Sequence, residues 1–432
     1  MKNPLPALLI LASSQAALTD LCGISLLERL RRIVGKLGFA EAMILSNSVE
    51  HIAVHAGKSS WRRGDVVLKF REVEVPKVTI GEVLDCLGAM TLPPDGRVLI
   101  VSAGFYCDER LLRVLAEAQT DSALIDSNPP SLVKSFSEDA IIHGVDRLPC
   151  ALLLSRNWLI GRDRAVLLRQ AVASEAMSGG LALVDAAQQP VYVRNLRGNV
   201  RPVFFPAPLP EWRALAERLL QDATQKHVLD FPAIIHAPIE NWLVLRLCRT
   251  SATPNQLTLA GALLGAGVAL LYALGYLWLG ALLALVFGVW DGLDGKLARL
   301  NEQTTELGKK EHILDYFIEM SWWTALAYHF HTAGKVRYAY VLLIAFIAAD
   351  LFDRIARRSI EPKLGRSLDD MSRFDRLVRL VAGRRNIYTW LFAFFLLLGA
   401  PAVGFVLLCC WGIASNVEHI IRAGQIRARG WR

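Results

Sequence analysis

Residues 287–319 read FGVWDGLDGKLARLNEQTTELGKKEHILDYFIE and contain two pairs of acidic residues with helical spacing. Asp291 and Asp294 lie three residues apart at the end of an apolar run, so a helix would present both carboxylates on one face. Asp315 and Glu319 lie one turn apart on a second expected helix. Acidic residues within membrane helices are costly, rare and usually functional. Two such helices facing each other predict a site where up to four carboxylates hold divalent cations against phosphate oxygens.

The residues around the first acidic pair resemble the CDP-alcohol phosphotransferase family. The family's signature begins D-x-x-D-G-x-x-A-R, and this chain has every residue of it: Asp291, Asp294, Gly295, Ala298 and Arg299. The stretch TPNQLT at 253–258, which leads into the first expected membrane helix, also matches. The resemblance therefore covers residues 238–425.

The second half of the signature, G-x-x-x-D-x-x-x-D, departs from the family pattern. Counted from Gly308, the spacing places a histidine and a tyrosine where aspartates are expected. A one-residue deletion would pair Glu311 with Asp315, and a three-residue insertion would pair Asp315 with Glu319. Asp315 and Glu319 lie about 17 and 13 residues from the outer turn, close to about 14 for Asp291, whereas Glu311 lies about 21 residues away. Depth favours the insertion, and Asp315 belongs to either pair.

The resemblance implies an integral membrane transferase of phospholipid or related lipid synthesis. Such an enzyme moves a phosphoalcohol or phosphatidyl group from a CDP-linked donor to a lipid or polar alcohol acceptor and releases CMP. The resemblance also implies a homodimer among membrane lipids, and Mg²⁺ or Mn²⁺ held by Asp291, Asp294, Asp315 and Glu319. Asp315 and Glu319 are then the catalytic candidates, with Glu319 as ligand or general base. The nucleotide and its diphosphate would bind at Gly295, Ala298 and Arg299.

Two other functions stay open at this point. The altered second half of the signature is also expected in a catalytically impaired nucleotide-binding membrane scaffold or regulator. Intramembrane acids would also suit a transporter, but six spans without repeat symmetry or broken helices give that function little support.

Several further polar residues have two interpretations each. Arg384 and Arg385 open the fifth expected span, where they either bind a phosphate-bearing acceptor or anchor the helix at the interface. Asp350 and Asp353 each precede an arginine by four residues and are interpreted as structural pairs. His312 either assists at the metal or lies on the surface at a helix start.

Composition favours a membrane protein over a nucleic-acid-binding protein. The chain has 432 residues, is 53% hydrophobic and carries a formal net charge of +8. Long apolar segments follow residue 256, so the positive charge is assigned to a membrane surface, and no nucleic acid is expected as a partner. The seven cysteines show no C-x-x-C spacing, which predicts neither a zinc site nor a disulfide framework. The short apolar run at the N-terminus is expected to be a buried strand rather than a signal peptide.

The second half of the chain predicts an all-α six-helix transmembrane bundle over residues 257–425. The expected spans lie at residues 257–275, 277–298, 312–332, 337–356, 387–402 and 403–421. Residues 236–256 precede them as an interfacial amphipathic helix and entry to the membrane. Basic loops and a basic tail at 426–432 predict a multi-pass protein of the inner (plasma) membrane, with the N-terminal domain and the C-terminus in the cytoplasm.

Residues 1–235 predict a soluble, doubly wound α/β domain with a parallel sheet. Short apolar runs, such as those at 6–12, 42–46 and 97–102, alternate with amphipathic helices, such as that at 25–37. This order resembles sugar-phosphate nucleotidyltransferases, whose first strand leads into a Gly-rich phosphate loop.

Two features of that family are missing from the chain. The corresponding loop at 13–18 has neither glycine nor a basic residue, and Ala103-Gly104 stands where the family has Gly-Asp. Asp108 follows closely but is expected to cap the next helix. The resemblance therefore implies a nucleotidyltransferase-like domain that has lost catalysis and remains for docking, regulation or dimer support.

Overall fold

The computed structural model describes residues 4–58, 66–90, 96–136, 149–227, 229–303 and 306–428. The chain forms two compact units. The first, here called the α/β unit, comprises Met1–Val191 and Val200–Ala223. The second, the helical unit, comprises Tyr192–Asn199 and Thr224–Arg432. The boundary after Ala223 differs from the expected boundary at 235, because Thr224 already packs within the helical unit, where its carbonyl accepts a hydrogen bond from Arg299 at 2.8 Å.

Strands occur in the α/β unit and in one hairpin of the helical unit. They are β1 Ala7–Ala12, β2 Asp20–Leu21, β3 Ile24–Ser25, β4 Glu41–Ser46, β5 Val67–Glu72, β6 Arg97–Ser102, β7 Phe105–Cys107, β8 Ser122–Ile125, β9 Ala151–Ser155, β10 Ala182–Asp185, β11 Tyr192–Val193, β12 Gly198–Asn199 and β13 Phe204–Pro206. A seven-stranded sheet has the order β10-β8-β9-β6-β1-β4-β5. Every residue of β1 is buried, as expected for a central strand covered on both faces.

The sheet is mixed, whereas a parallel sheet was expected. β1 runs parallel to β4 and β6, but β9 runs antiparallel to both β6 and β8. A strand buried on both faces has the same apolar pattern in either direction, so its sequence does not reveal this reversal. The prediction of parallel pairing was wrong for β9.

Helices surround the sheet of the α/β unit. They are α1 Ser14–Ala17, α2 Leu26–Leu37, α3 Val49–Lys58, α4 Ile80–Gly88, α5 Glu109–Glu117, α6 Ser131–Phe136, α7 Arg156–Ile160, α8 Leu168–Ser178 and α9 Arg213–Asp222. α2 begins where the Ser25 hydroxyl accepts a hydrogen bond from the Glu28 N–H, and Gly38 ends it in the left-handed conformation. Leu27, Leu30 and Val34 lie on its buried face, as the amphipathic pattern predicts.

Long helices form most of the helical unit. They are α10 Phe231–Leu247, α11 Pro254–Ala273, α12 Leu277–Trp290, α13 Leu293–Leu300, α14 Glu306–Thr332, α15 Ala339–Leu364, α16 Arg373–Val381, α17 Arg385–Leu397 and α18 Pro401–Ala428. Among the described residues, three stretches are long and apolar enough to cross a membrane: Pro254–Ala273, Leu277–Leu300 and Pro401–Ala428. These coincide with three of the six expected spans. α17 has only 13 residues, which is short for a span, whereas α14 and α15 are long but carry several charged residues.

The helical unit packs around close contacts between α11 and α14. α11 begins with a capping box between Thr253 and Gln256. Further along α11, the Gly265 carbonyl accepts a hydrogen bond from Trp322 Nε1 at 2.8 Å. Trp322 and Trp323 are both fully buried and pack in the hydrophobic core of this unit. Gly265 allows this approach, because a Cβ atom there would overlap the Ile318 side chain.

We expect Gly265→Val to destabilise the full chain by roughly 1–3 kcal/mol, since the added atoms must displace Ile318 from a packed position. Thermal unfolding in a fixed detergent measures the change. Gly424→Val is the matched control, because a Cβ at Gly424 meets nothing within 4 Å. Equal losses of melting temperature in the two variants would contradict the packing account.

Candidate functional site

The first acidic pair lies at a break between two helices. One continuous helix carrying both Asp291 and Asp294 was expected. Instead, α12 ends at Trp290 and α13 begins at Leu293, so Asp291 lies in the turn between the two helices and Asp294 lies at the start of α13. The break accommodates a neighbouring helix: a Cβ atom at Gly292 would lie 2.7 Å from Oε2 of Glu240 in α10. The turn therefore lets α10 approach the signature segment closely.

Asp294 is held by hydrogen bonds within the bundle. Its carboxylate is buried, with 6% exposure. The Thr258 hydroxyl donates to Asp294 Oδ2 at 2.6 Å, and the Gly295 N–H donates to Asp294 Oδ1 at 2.6 Å. Thr258 belongs to α11, so this contact fixes the carboxylate between α11 and α13. The sequence did not reveal the role of Thr258, because only the fold brings it to Asp294.

Asp291 is compensated by a cation from α17. Arg385, the first residue of that helix, forms an ion pair with the Asp291 carboxylate. Its guanidinium carbon also lies 4.7 Å from the centre of the Phe287 ring. A buried ion pair of this kind is tolerated because each charge neutralises the other away from water. Arg385 was expected either to bind a phosphate or to anchor the helix, and its contact with Asp291 was not anticipated.

The second acidic pair lies in α14 and interacts with the first. The charge of Asp315 interacts with those of Asp291, Asp294 and Glu319. Arg385 interacts with Asp315 and Glu319 as well as with Asp291. The structure thus brings the four predicted carboxylates into one electrostatic cluster that includes two guanidinium groups, since Arg354 lies 3.8 Å from Glu319. The alternative partner, Glu311, has a side chain outside the described residues, as does His312.

The donor set fits a hard divalent cation, since carboxylate oxygens are the ligands that Mg²⁺ and Mn²⁺ prefer. In the described part of the chain, no three His, Cys, Asp or Glu side chains are arranged to hold a metal ion. Arg385, Thr258 and the Gly295 N–H instead engage the carboxylate oxygens of the first pair. The assignment of the four acids as metal ligands stays a prediction.

The expected nucleotide-binding residues lie on α13 and its first turn. A Cβ atom at Gly295 would lie 3.2 Å from Nη1 of Arg299. Arg299 Nε donates to the Thr224 carbonyl, and Ala298 is half-buried. The roles of Gly295, Ala298 and Arg299 toward a diphosphate stay predictions.

α10 covers the signature segment with polar contacts. Glu240 forms an ion pair with Lys296 at 2.7 Å, and Lys296 also donates to the Asn241 amide oxygen at 2.9 Å. One sequence signal could have indicated this contact: Gly288 and Gly292 are spaced four residues apart, as in a close helix crossing. The opposite side of α10 is apolar and exposed, including Trp242 at 56%, as expected for an interfacial helix.

A cluster of arginines lies beside the acidic site. Asp369 is buried, with 4% exposure. Its Oδ1 pairs with Arg357 at 2.8 Å, and its Oδ2 lies 3.2 Å from Arg384, 3.6 Å from Arg197 and 3.8 Å from Arg379. Burial alone would raise the pKa of Asp369, but these guanidinium groups hold that pKa well below its usual range. We refer to these five residues as the arginine cluster.

The arginines that follow Asp350 and Asp353 form the expected structural pairs. Arg354 donates to Asp350 at 2.7 Å, and Arg357 donates to Asp353 at 2.9 Å. These contacts confirm the interpretation of both acids as partners of arginines in α15.

The α/β unit shows what has replaced the expected nucleotide loop. Asp108 caps α5 by accepting a hydrogen bond from the Arg110 N–H at 2.9 Å, and it also pairs with the Arg110 guanidinium at 2.8 Å. Both contacts confirm its capping role. Residues 14–17 form α1, and a Cβ atom at Gly104 would lie 3.0 Å from the Ala16 Cβ. α1 therefore packs directly against Gly104, two residues after the end of β6.

Comparison with known proteins places the signature in a family. The model of the family described as CDP-alcohol phosphatidyltransferase matches residues 251–318, which confirms the resemblance expected for this segment. A curated relative, the bifunctional IPC transferase and DIPP synthase of Aquifex aeolicus (strain VF5), is 29% identical over 171 residues. That alignment covers 39% of this chain and 37% of the relative, so the chain spans little more than a third of the relative's length.

Solved structures similar to each half of the chain are also known. The phosphatidylinositol phosphate synthase of Mycobacterium tuberculosis with CDP-DAG bound is 21% identical, covers 44% of this chain and 94% of its own, and has a TM-score of 0.33. The inositol-1-phosphate CTP transferase from T. maritima is 8% identical, covers 52% of this chain and 98% of its own, and has a TM-score of 0.34.

We expect Thr258→Val to lower the free energy of unfolding by about 1–3 kcal/mol, because the buried Asp294 loses the hydroxyl donor at 2.6 Å. Thr258→Ser keeps that donor and serves as the matched control, so its loss should be clearly smaller. Thermal unfolding of the full chain in one detergent compares the two variants. An equal loss in both would show that the methyl group, not the hydrogen bond, carries the effect.

Proposed function

We propose that the helical unit is a membrane-embedded CDP-alcohol phosphotransferase. It transfers a phosphoalcohol or phosphatidyl group from a CDP-linked donor to an alcohol acceptor and releases CMP. The observation that carries this proposal is the electrostatic cluster of Asp291, Asp294, Asp315 and Glu319. The first three lie within the segment that matches the family model, and Glu319 follows its last residue. Four acids gathered within apolar helices are costly to maintain without a functional use.

In this reaction an acceptor hydroxyl oxygen forms a bond to the phosphorus that carries the donor's alcohol. The bond from that phosphorus to the oxygen bridging it to CMP breaks, and CMP leaves with that oxygen. Glu319, or Asp315 beside it, takes the proton from the acceptor hydroxyl. Arg299 pairs with the diphosphate, and Gly295 lets the nucleotide approach the backbone. Mg²⁺ or Mn²⁺, held by the four carboxylates, would neutralise and orient the phosphate oxygens.

The acceptor we propose carries a phosphate or another anionic group. Arg384 and Arg385 are neighbours in sequence, yet Arg385 contacts Asp291 and Arg384 contacts Asp369. The arginine cluster thus lies directly beside the acidic site. Guanidinium groups recognise phosphate through paired N–H donors, which supports an anionic acceptor entering from this side.

The proposal includes six membrane spans, a cytoplasmic N-terminal unit and C-terminus, and a homodimer in the plasma membrane. Basic loops at 299–310 and 357–386 support this orientation. Protease removal of a C-terminal tag in inside-out vesicles but not in intact cells is the expected result, and the reverse pattern would contradict it. Light scattering of the detergent-solubilised chain should give twice the chain mass.

The α/β unit is proposed to be a nucleotidyltransferase-like domain without catalytic activity. The packing of α1 against Gly104 and the capping role of Asp108 support this part of the proposal. Incubation of the full chain with CTP and phosphorylated alcohols should form no CDP-alcohol. Formation of a CDP-alcohol, or saturable CTP binding that Asp108→Asn abolishes, would refute the inactive assignment.

We expect Asp291→Asn to lower the rate of CMP release by more than about 100-fold. This loss is larger than that typical of residues that only hydrogen-bond to a metal ligand. The assay supplies CDP-alcohols labelled in the cytidine to the full chain in nanodiscs with Mg²⁺. Asp375→Asn is the matched control, since it removes one carboxylate from the same unit at an ion pair with Arg422 at 2.8 Å. No CMP release from the unsubstituted chain with any donor would favour the alternative, a catalytically impaired nucleotide-binding scaffold or regulator.

A second pair of variants decides which glutamate completes the site. We expect Glu319→Gln to weaken Mn²⁺ binding by roughly 10-fold or more and Glu311→Gln to leave it nearly unchanged, because the charge of Glu319 interacts with that of Asp315. Electron paramagnetic resonance titration of Mn²⁺ in the full chain measures binding without requiring turnover. The reverse result would establish the pairing of Glu311 with Asp315 instead.

A further inference from the structure

A hairpin formed by Tyr192–Asn199 belongs to the helical unit, although the chain on both sides of it belongs to the α/β unit. β11 and β12 pair antiparallel within this hairpin, with Tyr192 opposite Asn199 and Val193 opposite Gly198. The turn between them ends at Arg197, which has a φ of 54°. This left-handed conformation costs a non-glycine residue up to about 1–3 kcal/mol, so such residues often mark functional positions.

The hairpin is seated by several contacts within the helical unit. The Leu196 side chain is buried, and its carbonyl accepts a hydrogen bond from the His227 N–H at 2.9 Å. Gly198 lies so close to the His227 ring that a Cβ atom there would approach it to 2.6 Å. The guanidinium of Arg366 lies 4.7 Å from the centre of the Tyr192 ring. These contacts fix the position of Arg197.

Arg197 joins a crowded ion-pair arrangement at Asp369. Three guanidinium groups share Asp369 Oδ2: Arg384 at 3.2 Å, Arg197 at 3.6 Å and Arg379 at 3.8 Å. Among the described residues, Asp369 is the one carboxylate within ion-pair distance of these three arginines. Arg357 is compensated separately, with Asp353 at 2.9 Å and Glu361 at 3.9 Å. Three guanidinium groups thus pair with one carboxylate, and the charges of Asp230 and Asp353 act on Arg379 and Arg384 only from beyond ion-pair distance.

Some hydrogen-bond donors in this cluster are also unused. Nε and Nη1 of Arg379 and Nε of Arg384 are buried and have no hydrogen-bond partner among the described residues. Buried guanidinium donors without partners are costly, because they have lost water and gained nothing in return. The side chains of Arg197 and Arg384 are 29% and 30% exposed, so a ligand can reach the cluster. The missing partner has the chemistry of an oxyanion.

We propose that the hairpin supplies Arg197 as a positioning residue that keeps Arg384 and Arg379 available to bind a phosphate group. This inference rests on the proposed function, whose anionic acceptor would be the ligand. Arg197 competes for Asp369 Oδ2 and adds one positive charge to the cluster. Without Arg197, Asp369 Oδ2 is shared only by Arg384 and Arg379, which it then holds more tightly. The phosphate can be a free ester or part of a lipid headgroup.

The base of the hairpin is closed by a backbone hydrogen bond, which the Val200 N–H donates to the Val191 carbonyl at 2.7 Å. This bond fixes the two ends of the hairpin that carries Arg197.

The test measures phosphate binding by the full chain in phosphatidylcholine nanodiscs. Inorganic phosphate should raise the melting temperature, while sodium chloride at equal ionic strength should not. We expect Arg197→Gln to weaken the apparent phosphate affinity about 10-fold, which corresponds to about 1.4 kcal/mol, because Asp369 then holds Arg384 and Arg379 more tightly. Arg197→Lys should stay within about threefold of the unsubstituted chain, because a charge at 3.6 Å does not need a guanidinium fork. Arg194→Gln, which removes an exposed charge from the same hairpin, is the matched control and should have no effect.

The results distinguish a soluble phosphate from a lipid headgroup as the ligand, and they test the role of Arg197 separately from the proposed function. Stabilisation by inorganic phosphate indicates a soluble ligand, whereas stabilisation that occurs only in nanodiscs containing phosphatidic acid indicates a lipid headgroup. Either result supports the inference if the stabilisation is lost in Arg197→Gln and retained in Arg197→Lys. Equal behaviour of Arg197→Gln and Arg194→Gln, or of Arg197→Gln and Arg197→Lys, would overturn the inference.

Turnover gives an independent readout. Inorganic phosphate should inhibit CMP release, and Arg197→Gln should raise its inhibition constant about 10-fold, because Asp369 then holds Arg384 and Arg379 more tightly. Inhibition with the same constant in both proteins would contradict the role of Arg197. Absence of CMP release in the unsubstituted chain would refute the proposed function, while the phosphate measurements would still decide the role of Arg197.

Discussion

Burial of charge is the constraint on which the helical unit depends. An ionised carboxylate that leaves water must find a cation or hydrogen-bond donors, or it destabilises the fold by several kcal/mol. Asp291 finds Arg385, and Asp294 finds the Thr258 hydroxyl and the Gly295 N–H. These partners come from three different helices, α17, α11 and α13. The need to compensate the acids therefore determines which helices must meet at the signature segment.

The same constraint extends from the acidic site to the arginine cluster. Arg384 precedes α17 in an extended conformation, with φ −143° and ψ 156°, whereas Arg385 is the first residue of the helix. This change of backbone conformation lets neighbouring arginines serve two sites, one rich in acids and the other rich in cations. A diphosphate with bound cations suits the first site, and an anionic acceptor suits the second. Under the proposed function, the adjacency of the two sites would place donor and acceptor next to each other without a long-range movement.

Short-range spacing made the signature visible in the sequence, and tertiary contacts remained hidden. The pattern of Asp291, Asp294 and Arg299 needs no fold to be recognised. The contacts of Asp294 with Thr258 and of Lys296 with Glu240 join residues 36 and 56 positions apart, and no local pattern encodes such pairs. The break after Trp290 was also missed, because a helical period continues smoothly through it.

Helix α16 shows why an amphipathic pattern alone can mislead. Its apolar Phe374 and Leu377 are 57% and 62% exposed, whereas its polar Asp375 and Arg379 are buried. In a soluble protein the apolar side of such a helix faces the core. Here the charged side faces inward, because Asp375 pairs with Arg422 at 2.8 Å and Arg379 contributes to the arginine cluster. The sequence gives the two sides of the helix, but only the surroundings decide which side is buried.

Arg197 follows from the same physics. A glycine at this position would remove the strain of the left-handed backbone, yet it would also remove a cation from Asp369. Arginine at position 197 adds positive charge to the cluster, but it also introduces local backbone strain. The added charge would destabilise the bundle if the cluster bound no anion, because buried charge without a partner is unfavourable. Strain at Arg197 and unused donors at Arg379 and Arg384 thus both support an anionic ligand at this cluster.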